Sequence, residues 1–253
     1  MILSRKHRLI FLHCRKAAGS SLTVSLSRFL GPDDIQIGAM VDGASNGIYP
    51  PRRAILNSLS RPCFRSIIKA TARLSFWEYV NGCNKQYYRK SICAEPQFAT
   101  AAEIKAAFPD EWSQYKKFCV LRNPWDRTVS DYFWRTRYLG SPPSFDDYVR
   151  ALYNRESLGG VIPRRHNSWD LFTIDGQVEV DKVVRYENLL EDVAAFLAKT
   201  DIEWDDWLPN SKKKRGIHRN RPSDYRSLYT EELSEMVHET YREEIAYGGY
   251  QFA

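Results

Sequence analysis

The chain has 253 residues, 43% of them hydrophobic, which excludes disorder as a description of the whole and is enough for one sizeable core. The net charge of +6 is uneven: residues 1–90 contain 15 Lys and Arg against 4 Asp and Glu, and the rest contain 22 against 27, so the basic part is expected to contact an anion. No apolar stretch reaches the roughly 20 residues of a membrane helix and the first one is too short for a signal peptide, so we expect a soluble, cytoplasmic protein.

The opening part of the chain alternates between strand and helix. Arg8 to His13 is a short apolar run that predicts a buried strand, and Ser20 to Leu30 has the apolar spacing of a helix. Residues 31–53 are rich in Gly, Asp and Pro and are expected to form a loop. A helix is predicted from Pro62 to about Val80 and a strand from Ser91 to Ala94.

The remaining part continues the alternation. Strands are predicted at Lys117 to Leu121 and Lys182 to Arg185, and helices at Ala101 to Phe108, Trp125 to Tyr138, Ser144 to Tyr153, Glu187 to Lys199 and Thr230 to Tyr247. This order predicts an α/β fold with three layers, α/β/α, around a central, mostly parallel sheet. We expect one domain over residues 1–253, with a basic helical insertion at about 52–90.

The first segment with a chemical signature follows the first strand. Lys16, Gly19, Ser20 and Ser21 stand between this strand and the first helix. The start of a helix offers unpaired backbone N–H groups, glycine allows close approach, and the hydroxyls and the lysine add donors and charge. The segment therefore predicts a phosphate site. It is not a Walker A loop, where Lys follows the last Gly, because here Lys16 precedes Gly19.

The second segment begins where the second clear strand ends. Arg122 stands at this strand end, Pro124 can start the next helix, and Ser130 lies eight residues after Arg122. A guanidinium can bind a phosphate through two parallel hydrogen bonds, and the serine hydroxyl can donate a third. This segment predicts a second phosphate contact.

Together the two segments resemble sulfotransferases that use 3′-phosphoadenosine-5′-phosphosulfate. The first resembles their P-loop-like 5′-phosphosulfate loop. The second resembles their Arg-Asn-Pro-x-x-Arg-x-x-Ser-x-Tyr motif, matched by Arg122, Asn123, Pro124, Arg127, Ser130 and Tyr132. Val184 to Leu189 and the Gly249-Tyr250 ending are also similar to the family. The resemblance is strongest to the carbohydrate-modifying branch, with its Golgi-type and bacterial members. It implies transfer of a sulfuryl group to a hydroxyl, most simply of a carbohydrate or glycoconjugate.

The resemblance also implies roles for individual residues. Lys16 would contact the bridging oxygen and the leaving phosphate, the rest of the first loop would bind the 5′ end, and Arg122 with Ser130 would bind the 3′-phosphate. Residues of a late basic loop would close over the nucleotide. The donor-binding set is Arg15, Lys16, Ala18, Gly19, Ser20, Ser21, Leu22, Arg122, Ser130, Lys214, Arg215 and Gly216.

Two positions depart from the family pattern. Arg15 replaces the usual proline of the first loop, and Phe98 stands where many relatives have a histidine that activates the acceptor. The base must then come from another residue. Glu95 is the first candidate because it follows a predicted strand just before the second motif. His166 is the second, and His13 is the third because it lies within a strand, where packing is the simpler role.

The acceptor and the rival functions remain open at this stage. Residues 52–90 contain nine basic side chains against Glu78 alone, which suits an acidic glycan or a glycolipid and would also allow peripheral contact with a membrane. One alternative is a non-catalytic module that binds nucleotides or polyanions, and another is a nucleotide kinase. No nucleic-acid-binding motif is found. No metal is expected, since the five cysteines lack the spacing of a metal site.

Overall fold

The computed structural model describes residues 1–59, 75–163, 165–209 and 221–252. Its seven strands are β1 Ile2–Ser4, β2 Leu9–Leu12, β3 Ile35–Gln36, β4 Lys116–Leu121, β5 Thr173–Ile174, β6 Gln177–Val178 and β7 Lys182–Arg185. Five of them form a sheet in the order β3-β1-β2-β4-β7, and β5 pairs with β6 separately. Since β1 is antiparallel to both neighbours while β2, β4 and β7 are parallel, four of the five strands point the same way. The mostly parallel sheet is confirmed.

The centre of this sheet is covered on both faces. All four residues of β2 are buried, as are the last four residues of β4. Successive side chains of a strand point to opposite faces, so a run with no exposed residue requires packing on both sides. The aromatic rings of Phe11 and Phe118 meet here with centroids 4.9 Å apart. Helices therefore lie above and below the sheet, in the three-layer α/β/α arrangement that the sequence predicts.

Twelve helices are formed by the described residues, apart from short 3-10 turns. They are α1 Gly19–Ser27, α2 Met40–Ala44, α3 Arg52–Ser58, α4 Phe76–Arg89, α5 Ala101–Ala107, α6 Pro109–Gln114, α7 Pro124–Thr136, α8 Phe145–Tyr153, α9 Trp169–Phe172, α10 Leu189–Leu197, α11 Glu231–Thr240 and α12 Arg242–Gly248. None of them is long and apolar enough to cross a membrane.

Local sequence explains where several of these helices begin. Ser75, Thr100 and Ser144 each accept a hydrogen bond from the backbone three residues on and close a capping box with the acidic side chain at that position. Such a cap satisfies two backbone groups that the first turn leaves unpaired. At α7 the cap is Asn123, whose Oδ1 accepts from the N–H of Trp125 at 3.0 Å.

Several boundaries differ from the sequence predictions. The predicted loop at residues 31–53 contains β3 and α2, and α3 begins within it at Arg52. The predicted strand at Ser91 to Ala94 is wrong, because these residues form a turn and a bend after α4. The helix predicted from Pro62 falls mostly outside the described residues, and the described helix there begins at Phe76 and continues to Arg89. Ser75 fixes this start through its capping box.

Two predictions about helix ends are also corrected. Pro109 does not merely close a helix, because it occupies the first turn of α6, where its missing N–H costs nothing. The long terminal helix predicted from Thr230 to Tyr247 is interrupted at Tyr241, which separates α11 from α12. The Tyr241 side chain is buried, so its packing fixes a break that helical periodicity alone does not predict.

The described parts of residues 52–90 form α3 and α4, which pack against each other. Asn57 donates to Asn84 Oδ1 at 2.9 Å, and Asn84 donates to the carbonyl of Gln36 in β3 at 2.8 Å. Both asparagine side chains are buried. The helical pair is thus tied to the edge of the sheet by hydrogen bonds that solvent does not reach.

Candidate active site

A cleft of about 530 Å³ opens where three parallel strands end. Lys16 follows β2, Arg122 follows β4 and Tyr186 follows β7, and all three residues line the cleft. Ligands of α/β proteins bind at this edge of the sheet because the loops there lead into helices. The cleft brings together eight of the residues in the predicted donor-binding set. They are Arg15, Lys16, Ala18, Gly19, Ser20, Ser21, Arg122 and Ser130.

The first loop presents the start of α1 to this cleft. Lys16 and Ala18 both have left-handed backbone conformations, with φ of 57° and 56°. Residues other than glycine seldom adopt this conformation, and strain of this kind is concentrated at functional sites. Ala18 is the N-cap and offers no side-chain hydrogen bond, so the first N–H groups of the helix stay available to a ligand.

Leu22 differs from the other residues of the predicted donor set. Its side chain is fully buried in the core, and its backbone N–H donates to the carbonyl of Ala18 at 3.0 Å. It does not line the cleft. Leu22 therefore anchors α1 by packing, and the geometry gives it no direct contact with a ligand there.

Glycine at position 19 is required by a close approach. A Cβ atom built at Gly19 would lie 2.0 Å from Cδ2 of the His13 ring, far inside van der Waals contact. The His13 ring in turn meets Phe98 edge-on, with centroids 5.1 Å apart. His13 therefore packs between the loop and Phe98, where it helps to shape the cleft wall.

Arg122 connects the second segment to the first. Its Nη1 donates to the carbonyl of Lys16 at 2.8 Å, its Nε donates to Asp126 Oδ2 at 2.8 Å, and its Nη2 donates to the same oxygen. A guanidinium carries five N–H donors, so two of them make no hydrogen bond to any described residue. The Arg122 side chain also stacks on Tyr186 at 4.2 Å from the ring centroid. Arg122 is thus held rigidly while it retains donors for an anion.

Three serine hydroxyls on the cleft wall complete the set of donors. Ser20, Ser21 and Ser130 all line the cleft. Within the residues that the structure describes, none of these hydroxyls makes a hydrogen bond. Polar side chains in such a setting are normally satisfied by ligand or solvent. Lys214, Arg215 and Gly216 lie outside the described residues.

The charge of the cleft favours an anionic ligand. Among the described residues, five basic side chains line it, Arg15, Lys16, Arg122, Arg135 and Arg221, against one acidic side chain, Asp131. Arg221 also donates to Asp126, which therefore bridges two guanidinium groups. Burial, with Arg122 nearby, lowers the pKa of Arg221 despite the attraction of Asp126. An excess of buried positive charge of this kind is relieved when an anion binds.

Arg15 packs on Phe98 and pairs with Glu95. Its guanidinium lies over the Phe98 ring at 3.7 Å from the centroid, and its Nη2 donates to Glu95 Oε2 at 2.7 Å. Burial lowers the pKa of Arg15, and Arg135 lowers it further, while Glu95 opposes the shift. Arg15 and Phe98 thus pack against each other. Glu95 contacts Arg15 but does not itself line the cleft.

One face of α7 forms the wall opposite the first loop. Asp131, Trp134 and Arg135 are spaced so that they share this face, and all three line the cleft. The Lys16 ammonium lies 4.5 Å from the centroid of the Trp134 ring. The sequence motifs do not include this face, although the spacing of Trp134 and Arg135, three and four residues after Asp131, is the signal that could have found it. Tyr186 and Arg221 were missed as well.

His166 lies in a different place. It lines a second cleft of about 720 Å³, beside Arg155 and Arg242 and the acidic side chains of Glu156, Asp170, Glu239 and Glu243. Burial, with Arg127 and Arg155 nearby, lowers the pKa of His166 to about 4. Its buried Nδ1 has no hydrogen-bond partner among the described residues. The structure does not bring His166 together with Lys16 and Arg122.

Arg127 is the second arginine of the motif that begins at Arg122, and it stabilises the fold. It is buried against Glu244 of α12, with Nη2 donating to Oε1 at 3.0 Å and Nη1 donating to Oε2. Glu244 also accepts from the N–H of Ser168 at 2.6 Å. This network fastens α7 to the end of the chain, which keeps the Asp131 face of α7 in place.

Comparison with known proteins identifies the family of this chain. The model of the sulfotransferase family matches residues 1–251. A crystal structure of a sulfotransferase from Alicyclobacillus acidocaldarius is similar over 98% of this chain and 97% of that chain, at 16% identity and a TM-score of 0.43. No curated protein matches the sequence. Because the family model extends over nearly the entire chain, the protein belongs to the sulfotransferase family.

Proposed function

We propose that this sulfotransferase uses 3′-phosphoadenosine-5′-phosphosulfate as its donor and transfers the sulfuryl group to a hydroxyl of a carbohydrate or glycoconjugate. The observation that carries the proposal is the single basic cleft that holds both phosphate-binding segments. The uncapped start of α1 and the remaining N–H donors of Arg122 open into the same space.

The residues of the cleft suit a nucleotide with phosphate at both ends of its ribose. A volume of about 530 Å³ lies within the range of small-molecule sites, roughly 300–1,000 Å³. Ser20 and Ser21, with the N–H groups of the first turn, would hold one phosphate, and Arg122 with Ser130 would hold the other. Leu189, Leu208 and Pro209 provide an apolar wall suited to the base.

When bound, the donor supplies the sulfuryl group that is transferred. The chain contributes charge and position, which dominate group transfers of this type. Lys16 would offset the negative charge that builds on the leaving phosphate. The contact between its ammonium and Trp134 keeps the side chain directed into the cleft. The backbone of Lys16 is fixed by Arg122, which joins phosphate binding to the placement of the lysine.

An acidic acceptor is the substrate class that the charges favour. Arg15 is held on the cleft wall by Phe98 and Glu95, and Arg135 lies on the facing helix. The described parts of residues 52–90 add Arg52, Arg53, Lys85, Arg89 and Lys90 around α3 and α4. Carboxylate or sulfate groups of a glycan or glycolipid would complement this charge.

The second candidate function is a binding module of the same fold that does not catalyse transfer. The observation in its favour is Phe98, which cannot act as a base where many relatives have histidine. Transfer of labelled sulfate from the donor to a panel of acidic glycans, neutral glycans and phenols separates the two candidates. We expect transfer to an acidic glycan. Tight donor binding with no transfer to any class, and no hydrolysis of the donor, would instead support the binding module.

A further inference from the structure

The wall of the cleft that faces Lys16 carries a carboxylate that the sequence motifs do not assign. Asp131 follows Ser130 directly and lies one turn of α7 before Trp134 and Arg135. All of them line the cleft, and Trp134 is in contact with the Lys16 ammonium. Asp131 therefore stands on the same helix face as the residue that meets the lysine.

The hydrogen bonds of Asp131 leave one carboxylate oxygen available. Arg135 Nε donates to Oδ2 at 2.6 Å, and the Tyr148 hydroxyl donates to the same oxygen at 3.0 Å. Among the described residues, no group donates to Oδ1. Two donors on one oxygen fix the orientation of the carboxylate, and an orientation fixed in this way is what a general base requires.

Its surroundings separate Asp131 from the other acidic candidate. The side chain of Asp131 is 14% exposed, whereas that of Glu95 is 45% exposed. Glu95 is paired with Arg15 and does not line the cleft. A carboxylate that is largely shielded from water, yet borders the ligand space, is better placed to take a proton from a bound hydroxyl.

We propose that Asp131 is the general base that accepts the proton of the acceptor hydroxyl, and this inference rests on the proposed function. In the transfer step the acceptor oxygen forms a bond to sulfur, and its proton passes to Asp131 Oδ1. The bond between sulfur and the bridging phosphate oxygen breaks, and its electron pair stays on that oxygen, where Lys16 offsets the charge. Arg135 and Tyr148 are positioning residues for Asp131.

The charged and titratable groups around Asp131 come from several elements. Arg135 lies on its own helix, Tyr148 on α8, and Arg15 on the first loop, where Glu95 pairs with it. His166 and Tyr241 also interact electrostatically with Asp131. Arg135, which donates to Asp131 directly, and Arg15 are the cationic groups in this set.

The test compares Asp131→Asn with the wild-type chain in donor turnover and in binding of adenosine 3′,5′-bisphosphate. Turnover is followed as release of the bisphosphate, both with the acceptor panel and with water alone. We expect Asp131→Asn to lower turnover by about 10²–10⁴-fold, the usual contribution of a general base. Affinity for the bisphosphate should change by less than about threefold, because the base acts on the acceptor and not on the nucleotide.

A pH profile provides the readout that a structural role would not move. Wild-type turnover should fall at acid pH, as expected for a reaction that needs a general base, and this acid limb should disappear in Asp131→Asn. Asp131→Glu keeps a carboxylate and should recover part of the turnover. Glu191→Gln on the exposed side of α10 is the matched control and should behave as wild type.

Chemical labelling tests the open oxygen without any turnover. A water-soluble carbodiimide with an amine should modify Asp131 in the ligand-free protein, while Glu244, which is fully buried, should stay unmodified. An unlabelled Asp131, turnover within a few-fold of wild type in Asp131→Asn, or an unchanged acid limb would each overturn the proposal. So would a wild-type chain that binds the bisphosphate yet turns over no donor, whereas failure to bind the bisphosphate would overturn the proposed function itself.

Discussion

The cleft at the strand ends and the cleft that holds His166 differ in their charge more than in their size. The cleft at the strand ends has a volume of about 530 Å³, and the cleft that holds His166 is larger, at about 720 Å³. The smaller one is lined by five basic side chains and one acidic one, the larger by two basic and four acidic ones. Only the smaller cleft therefore suits a polyanionic nucleotide.

The backbone explains this difference as much as the charges do. In the smaller cleft the loop after β2 passes through left-handed conformations at Lys16 and Ala18 and leaves the first turn of α1 uncapped. The larger cleft lies beside α8, α9 and α11, and its histidine stays neutral because burial lowers the pKa to about 4. Charge and open backbone donors, rather than volume, identify the candidate active site.

Among the substitutions that test this comparison of the two clefts, the largest effect is expected at Lys16. Lys16→Ala should lower turnover of the donor by about 10²–10³-fold, the cost of removing one donor that stabilises charge in a transition state. Affinity for adenosine 3′,5′-bisphosphate should fall much less, because the other donors of the cleft remain. Lys105→Ala, which removes a half-exposed lysine on α5, is the matched control and should leave both quantities unchanged. Equal losses of turnover and affinity would contradict the assigned role.

Because His166 is largely buried in the second cleft, we expect the stability of the fold to depend on pH. The pKa of His166 is about 4 in the folded chain against 6.5 for the free side chain, so between these values only the unfolded chain takes up the proton. Stability is therefore retained above pH 6.5 and lost as the pH falls towards 4. The loss from pH 7 to pH 5 should be about 2 kcal/mol.

Urea unfolding of the wild type and of His166→Gln at these two pH values checks this prediction. The wild type should lose about 2 kcal/mol more than the variant on going to pH 5. An identical pH dependence of the two proteins would show that His166 does not titrate as its burial requires. If His166→Gln lost sulfuryl transfer at neutral pH, His166 would contribute to the reaction, and the assignment of the active site to the smaller cleft alone would be contradicted.

Arg122 tests the charge of the smaller cleft. Arg122→Ala should weaken binding of adenosine 3′,5′-bisphosphate by about 10–100-fold, since a charge-assisted hydrogen bond contributes about 1.5–3 kcal/mol. Arg122→Lys keeps the charge but loses the fork of donors, so its affinity should lie between those of the wild type and Arg122→Ala. Calorimetric titration measures both, and unchanged affinity in Arg122→Ala would remove Arg122 from the site.

Gly19 tests the backbone of the smaller cleft. Gly19→Ala should destabilise the fold by about 1–3 kcal/mol, the usual cost of overpacking, because its Cβ would enter the His13 ring. The double variant Gly19→Ala with His13→Ala lacks the imidazole ring and should recover part of this lost stability. Chemical unfolding of the two single variants and the double variant gives the coupling free energy. Additive effects would mean that His13 is not the residue that Gly19 accommodates.

The buried strands were predictable from sequence, and so was the meeting of the two motif segments at one edge of the sheet. The strand predicted at Lys182 to Arg185 has the observed bounds, and the strand predicted at Lys117 to Leu121 begins one residue earlier in the structure. Short apolar runs between charged residues mark strands that are covered on both faces. The segment from Lys16 to Ser21, which includes the first turn of α1, was singled out because its residue types and order are typical of anion binding.

The features that could not be predicted from sequence depend on contacts between residues that are distant along the chain. β1 and β3 have only three and two residues, too few for a periodic signal, and they form because each pairs with a neighbouring strand. The break at Tyr241 depends on its burial. Asp131 was missed because its environment is built by Arg135 and Tyr148, and by a loop more than a hundred residues away in sequence.

Calorimetric titration with adenosine 3′,5′-bisphosphate tests the central claim most directly. The account predicts one site per chain with a dissociation constant of about micromolar, and weaker binding of adenosine 5′-monophosphate, which lacks the 3′-phosphate. The affinity should fall as salt is added, because basic side chains provide much of the attraction. No binding at millimolar bisphosphate, or equal affinity for the two nucleotides, would contradict the assignment of one cleft to both phosphates.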